Sequence, residues 1–327
     1  MSSRPRVLVT WRLPSAVLEP LREACDVDLH TGRASLEPEA LRERLADKDG
    51  AVAVLTTRFD RGVFVAAPRL RIVANVAVGY DNIDVLAARD QGVIVTNTPD
   101  VLTEATADLA FGLILDVTRR LSEGDRLVRR GGWSGWSLDF MLGTEVRGKQ
   151  LGVVGAGRIG RALACRARAF GMRVVFTDRA DAAGAAVEFA PGAQGPLVPL
   201  DTLLHTSDVV SIHVPLTRET RHLMDQRAFA RMKRTAFLVN TARGPVVDEE
   251  ALVWALREHV IAGAALDVFE AEPRVHPGLL DLDSVVLVPH LGSATRETRT
   301  AMAELAVRNV LAVLSGQPPL TPVAPPS

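Results

Sequence analysis

The sequence has 327 residues, only two of them cysteines (Cys25 and Cys165) and one a tyrosine; aromatic residues make up 5%. Two cysteines imply no disulfide framework, so the chain reads as a reduced, cytoplasmic protein. Cys165 sits in an alanine-rich helical pattern and is expected to be a small buried apolar residue. No apolar run reaches membrane-spanning length. The apolar stretch near the N-terminus stops after a few residues at Trp11 and Arg12, too short for a signal peptide. An excess of either charge is also missing: 38 Lys and Arg face 39 Asp and Glu, a net charge of −1. There is therefore no basic surplus for a nucleic-acid backbone and no polybasic segment for an anionic membrane. The cluster of Arg119, Arg120, Arg126, Arg129 and Arg130 reads as a solvated helix face. No Cys/His group has zinc spacing and no carboxylate cluster resembles a hydrolytic metal site, so no metal is expected.

What is present is an alternation. Short β-branched runs and helical patterns follow one another along most of the chain, which predicts an α/β protein with parallel sheets. Residues 7–10, 51–55 and 71–75 read as strands, and 38–45 and 84–91 as helices, giving a first α/β domain of about one hundred residues. Leu109, Leu113, Val117 and Leu121 recur every four residues, one stripe of a long amphipathic helix. Gly131, Gly132 and Gly135 then mark an irregular segment whose Trp133 and Trp136 are expected to be packing anchors. A second α/β block begins at Gln150, with strands at 151–154, 173–177, 209–212, 236–239, 264–268 and 285–288 and a final helix over 295–314. The proline-rich tail from Gln317 to Ser327 is expected to be mobile.

The segment LGVVGAGRIGRALACRARAFG carries the strongest local signal. Gly155, Gly157 and Gly160 form G-x-G-x-x-G between an apolar strand and a helix with Ile159, Leu163, Ala167 and Phe170 on one face. In that context Gly155 permits a tight turn, Gly157 lets the backbone approach a pyrophosphate, and Gly160 lets the helix pack on the strand. The helix N-terminus offers N–H groups and a positive dipole end to phosphates, and Arg158 is placed to add a charge. Asp178 stands eighteen residues after Gly160, at the end of the next strand. A carboxylate there can accept hydrogen bonds from ribose hydroxyls and repels a 2′-phosphate, which favours NAD(H); the neighbouring Arg179 leaves NADP(H) open.

Three further segments, VNTARGPVVDEEAL, AALDVFEAEP and VVLVPHLGSAT, hold Arg243, Glu272 and His290. Together these residues supply a fixed cation for an anionic ligand and a group for proton transfer. Arg243 and His290 each follow a predicted strand, at the sheet edge where open α/β folds bind ligands. Arginine offers a planar fork to carboxylate and keto oxygens. Histidine is the side chain suited to proton transfer near neutrality, and Glu272 can accept its hydrogen bond. The remaining histidines read as structural hydrogen-bonders, with His213 intermediate.

With NVAVGYDNID and VLTEATADLAFGLIL, these segments make nearly the whole chain resemble the D-isomer-specific 2-hydroxyacid dehydrogenases, most of all their glyoxylate/hydroxypyruvate reductases. The spacings agree: Arg243 to Glu272 is 29 residues and Glu272 to His290 is 18. The resemblance implies two Rossmann-like, doubly wound parallel-sheet domains with an active-site cleft between them. Residues 1–98 with 291–327 would bind substrate and 99–290 would bind NAD. It implies Arg243, Glu272 and His290 as the catalytic set. For the substrate it implies the N–H groups of Val78 and Gly79, with Leu55 walling the pocket. Trp136 either enters the partner's active-site mouth or only packs the dimer arm. Around the cofactor it implies Thr106, Ile159, His213, Pro215, Thr220, Thr241, Ala242, Asp267 and Gly292. The expected ligand is a small 2-keto or 2-hydroxy acid and the expected assembly a homodimer. A different substrate, or an NAD-sensing corepressor, is the alternative. Formate-oxidising relatives carry glutamine at the position of Glu272, and phosphoglycerate-oxidising relatives often carry arginine at the position of Asn75.

Overall fold

The computed structural model describes residues 4–178 and 185–324; Arg179 lies outside the described residues. The chain divides into two compact units, Met1–Leu102 with Thr295–Ser327, and Thr103–Ala294.

The first unit is built on five strands: β1 (Arg6–Val9), β2 (Asp26–Leu29), β3 (Gly50–Ala53), β4 (Ile72–Asn75) and β5 (Ile94–Thr96). They pair in the order β2-β1-β3-β4-β5, all parallel. Two apolar clusters form, one with Leu8, Ala51 and Val73, the other with Val7, Val52 and Ile72. This two-sided burial is why β3 and β4 read as continuous apolar runs. The second cluster includes Ala303, Ala306, Val307 and Val310 of the helix Arg296–Leu314. That helix lies so close to the sheet that a Cβ on Gly50 would sit 3.4 Å from Val310.

The tail is not mobile as far as it is described. Asn309, fully buried, accepts the N–H groups of Leu320 (2.9 Å) and Thr321 (3.1 Å) and donates to the Leu305 carbonyl and the Thr321 hydroxyl, both at 2.9 Å. Val323 then donates to Val95 at 2.9 Å, and Pro322 bridges antiparallel to Thr96. Backbone pairing with β5 outweighs the mobility expected from proline content.

In the second unit the strands are β6 (Gln150–Val154), β7 (Arg173–Thr177), β8 (Ala186–Ala190), β9 (Ala193–Pro196), β10 (Val209–Ile212), β11 (Phe237–Asn240), β12 (Gly263–Leu266) and β13 (Val285–Leu287). Six pair in parallel in the order β13-β12-β11-β10-β6-β7. Between β6 and β10 the strand order reverses direction, the place where doubly wound sheets open a crevice for ligands. The antiparallel hairpin β8-β9 went unread in the sequence because neither strand carries a β-branched run.

The long helix runs only over Thr103–Arg119. Arg120 turns left-handed (φ 58°) and a separate helix, Leu121–Arg129, begins. Asp116 accepts both the N–H (2.7 Å) and the hydroxyl (2.6 Å) of Ser122, capping the new helix. Leu121 therefore leaves the buried stripe and is 57% exposed. Trp133 and Trp136 are exposed too, so they anchor no packing within the described chain. Cys165 is half-buried, its Sγ 2.9 Å from the Phe189 carbonyl. Among the described residues no helix is long and apolar enough to cross a membrane.

Asn309→Leu should remove the tail's anchor while keeping the number of side-chain heavy atoms, and leave the partly buried N–H groups of Leu320 and Thr321 without their acceptor, at a cost of roughly 1–3 kcal/mol. The urea midpoint should fall and the tail should become protease-sensitive; an unchanged midpoint would contradict this account.

Candidate active site

The glycine loop sits where β6 and β10 part. Gly155 adopts φ 105°, and a Cβ there would lie 2.7 Å from the His213 carbonyl oxygen, so a side chain would collide with the loop after β10. A Cβ on Gly160 would lie 2.2 Å from the Gly155 carbonyl. Gly157 caps the helix Arg158–Ala169 without a side-chain hydrogen bond, and a Cβ there would meet nothing within 4 Å. The N–H groups of a helix's first turn carry its positive dipole end. Asp178 is held beside them, its Oδ2 accepting the Ala156 N–H at 3.0 Å. Ile159, on the same turn, is half-buried. Its helix buries Leu163 and Ala167, while Phe170 lies beyond the helix end, exposed, with its ring 4.6 Å from that of Phe111.

His213 contacts the Ser211 hydroxyl through Nε2 at 2.8 Å. Burial of its imidazole pushes its pKa down to about 4, so it is neutral at ordinary pH. Thr220 donates to the Pro215 carbonyl at 2.6 Å, closing a small turn. Thr241 Oγ1 is buried and finds no hydrogen-bond partner among the described residues. A glycine cradle at a helix N-terminus, a neighbouring carboxylate, a neutral imidazole and a buried hydroxyl with no partner among the described residues fit a dinucleotide.

Arg243 follows β11. Asn240 donates to its carbonyl (2.9 Å) and accepts the Ala242 N–H (3.0 Å), while Arg243 Nη1 donates to the Ala242 carbonyl at 2.8 Å. Ala242 is half-buried. The next residue, Gly244, lies against another loop: a Cβ there would be 1.9 Å from the Phe269 carbonyl carbon. Only glycine lets these two backbones touch, a role the sequence does not betray.

Glu272 lies on that second loop. Its Oε1 accepts the Phe269 N–H at 3.0 Å and its Oε2 meets His290 Nδ1 at 2.9 Å. Burial opposes ionisation of Glu272, but the hydrogen bond and charge of His290, the Phe269 N–H and Arg243 outweigh it, so the carboxyl titrates below the usual glutamate range. Two further residues hold the loop: buried Glu249 accepts the Glu270 N–H at 2.8 Å, and His222 pairs with the Glu270 carboxylate.

His290 itself is left-handed (φ 53°). Its N–H donates to the Asp267 carbonyl at 2.9 Å. The Asp267 carboxylate, with no exposed surface, accepts the next two N–H groups, those of Leu291 and Gly292. Burial raises its pKa despite these bonds. Thr106 donates to the Gly292 carbonyl at 3.1 Å. The structure thus joins Thr106, Asp267 and Gly292 to the His290 loop.

In the first unit, Leu55 lies half-buried in the turn after β3, and Val78 and Gly79 lie half-buried after β4. The N–H groups of Val78 and Gly79 form no hydrogen bond among the described residues. Asn75 is fully buried and donates to the Gly79 carbonyl (2.9 Å) and Asn82 Oδ1 (3.1 Å). Its side chain is turned into the protein, so it does not meet a substrate where an arginine would greet a phosphate. Trp136 is 80% exposed.

Residues 111–292 match the family model described as D-isomer specific 2-hydroxyacid dehydrogenase, NAD binding domain. A glyoxylate reductase of Thermococcus onnurineus (strain NA1) is 50% identical over 322 residues, covering 97% of this chain and 95% of its own. The chain belongs to the D-isomer specific 2-hydroxyacid dehydrogenases. Two solved structures agree with this dehydrogenase along almost its whole length. A glyoxylate reductase from Paecilomyes thermophila superimposes with a TM-score of 0.88 at 33% identity, covering 99% of both chains. An NADPH-dependent glyoxylate/hydroxypyruvate reductase from Sinorhizobium meliloti, solved with NADP and malonate, has a TM-score of 0.85 at 36% identity, covering 98% of this chain and 97% of its own. The dehydrogenase is accordingly an oxidoreductase with a nicotinamide dinucleotide cofactor.

Replacing Glu272 by Gln removes the negative charge that favours the imidazolium. The alkaline limb of the pH–rate profile for keto-acid reduction should then move to lower pH. Superimposable profiles for wild type and Glu272→Gln would show that the carboxylate does not tune proton delivery.

Proposed function

We propose that the enzyme reduces glyoxylate or hydroxypyruvate to the corresponding hydroxy acid, glycolate or D-glycerate. The observation that carries this reading is the His290–Glu272 hydrogen bond on loops held beside Arg243. Arg243 would bind the carboxylate and keto oxygens with its planar fork, drawing charge from the carbonyl. Because His290 Nδ1 is directed to Glu272, the proton delivered to the carbonyl oxygen would leave from Nε2. In the oxidative direction Nε2 would take the hydroxyl proton back. Glu272 holds the ring and stabilises its charged form, while the N–H groups of Val78 and Gly79 would receive the substrate carboxylate. The nicotinamide, when bound, supplies the hydride. Residues Gly155, Gly157, Arg158, Ile159, Gly160, His213, Pro215 and Thr220 would hold its diphosphate side, Asp178 its ribose, and Thr106, Thr241, Ala242, Asp267 and Gly292 its nicotinamide side.

NADH is the preferred cofactor in this reading, because Asp178 would repel a 2′-phosphate. Asp178→Ser should narrow the gap between NADH and NADPH; a wild type that already favours NADPH contradicts the assignment. The exposed Leu121, Val128, Trp133, Trp136 and Leu138 support a homodimer joined through this segment, and the two free cysteines agree with a cytoplasmic setting.

A spectrophotometric panel of NADH or NADPH against glyoxylate, hydroxypyruvate, pyruvate and bulkier keto acids tests the substrate. Preference for phenylpyruvate or 3-phosphohydroxypyruvate overturns it. His290→Ala should lose roughly 10²–10⁴-fold in kcat with NADH binding kept; near-full turnover removes His290 as the proton donor. If Trp136 closes the partner's pocket, Trp136→Ala should raise kcat/KM for longer keto acids relative to glyoxylate. Equal loss for all substrates with weaker dimerisation assigns it a structural role.

A further inference from the structure

The loop after β4 is fixed one carbonyl at a time. The Ala77 carbonyl accepts the Thr98 N–H at 2.8 Å, the Val78 carbonyl accepts Asn97 Nδ2 at 2.8 Å, and the Gly79 carbonyl accepts Asn75 Nδ2 at 2.9 Å. Each of these peptide bonds is trans, since the one cis peptide among the described residues lies at Glu272-Pro273. In a trans peptide the C=O and the following N–H point in opposite directions. Holding the carbonyls of Ala77 and Val78 on one side therefore turns the N–H groups of Val78 and Gly79 to the other. No acceptor for either is found among the described residues. Successive N–H groups presented in this way form a concave anion site.

Asn97 is itself anchored from outside the loop. Its N–H donates to the Thr321 carbonyl at 3.3 Å and its carbonyl accepts the Thr321 hydroxyl at 2.6 Å. Thr321 is in turn held by buried Asn309. The backbone of Asn97 is tied to the tail while its side-chain amide is spent on Val78.

We propose that Asn97 is a positioning residue for substrate-carboxylate binding: its amide fixes the Val78–Gly79 peptide so that the Gly79 N–H faces the substrate. The inference rests on the reading that Val78 and Gly79 receive the carboxylate. Without the amide, the peptide can rotate and present the Val78 carbonyl oxygen to an anion. The defect therefore falls on substrate binding. Cofactor binding, which involves other residues, is unaffected.

The test uses the full-length enzyme with NADH, Asn97→Ala and the isosteric Asn97→Asp, which cannot donate when ionised. Both should raise KM for glyoxylate by roughly 3–10-fold, the value of one hydrogen bond, with kcat and NADH affinity near wild type. A melting temperature and kcat that fall together with KM unchanged would overturn the assignment in favour of a merely structural role. Amide NMR of the wild type with NADH and oxamate, an unreactive keto-acid mimic, separates the two layers of the argument. Movement of the Val78 and Gly79 amide signals with an unaltered KM in both variants overturns the role of Asn97 alone. Signals that do not move with oxamate overturn the carboxylate reading and the inference with it.

Discussion

Asp267 has no contact with solvent, so its carboxylate must either find hydrogen bonds inside the protein or give up its charge. It finds them in the two N–H groups that follow His290. The backbone carbonyl of the same aspartate takes the N–H of His290 itself. Three consecutive amides are thus gathered on one residue at the end of β12. A left-handed backbone at a non-glycine residue carries a strain of roughly 1–3 kcal/mol and persists only where the surroundings over-determine it. Here that determination is visible, and it aims the imidazole at Glu272. Thr106, through the Gly292 carbonyl, extends the same support to the start of the long helix.

Around this clamp the second unit relies on backbone touching backbone. At Gly155 and Gly244 the position a Cβ would take is already filled by main-chain atoms of the opposing segment, and at Gly160 by the Gly155 carbonyl of its own loop. The loops after β6, β10, β11 and β12 approach one another more closely than side chains permit. The functional groups they carry are consequently set by short, stiff stretches of chain. That arrangement suits a reaction in which small displacements of a proton donor weaken catalysis.

Much of this was legible in the sequence. The glycine fingerprint was readable because its spacing is dictated by close approach, and a strand and a helix flank it. Arg243, Glu272 and His290 were readable together, the first and last each after a strand and all three at a consistent spacing. Less accessible were elements whose meaning depends on distant partners. Asn97 bears no local signal, because its role is defined by Val78 and Thr321. Leu121 fitted a four-residue period, yet that helix ends two residues earlier, at Arg119, and the Asp116 carboxylate accepts from Ser122 of the next one. The tail was misjudged because proline content says nothing of the buried Asn309 beneath it. Asn75 was read only as standing where phosphoglycerate-oxidising relatives often carry arginine, and its amide is bonded inward to Gly79 and Asn82.

The first unit is discontinuous: its sheet is finished by residues more than two hundred positions away, with Pro322 beside Thr96 and Arg71 donating to the Val313 carbonyl at 2.8 Å. Residues 103–294, by contrast, form a continuous stretch. On the ribosome the order of maturation is therefore inverted relative to the order of synthesis. The N-terminal strands emerge first but must wait, with the apolar face of Val7, Val52 and Ile72 uncovered, until the helix Arg296–Leu314 has been made. The middle of the chain can settle into its six-stranded sheet meanwhile. During that interval the first hundred residues expose apolar surface that the finished fold covers.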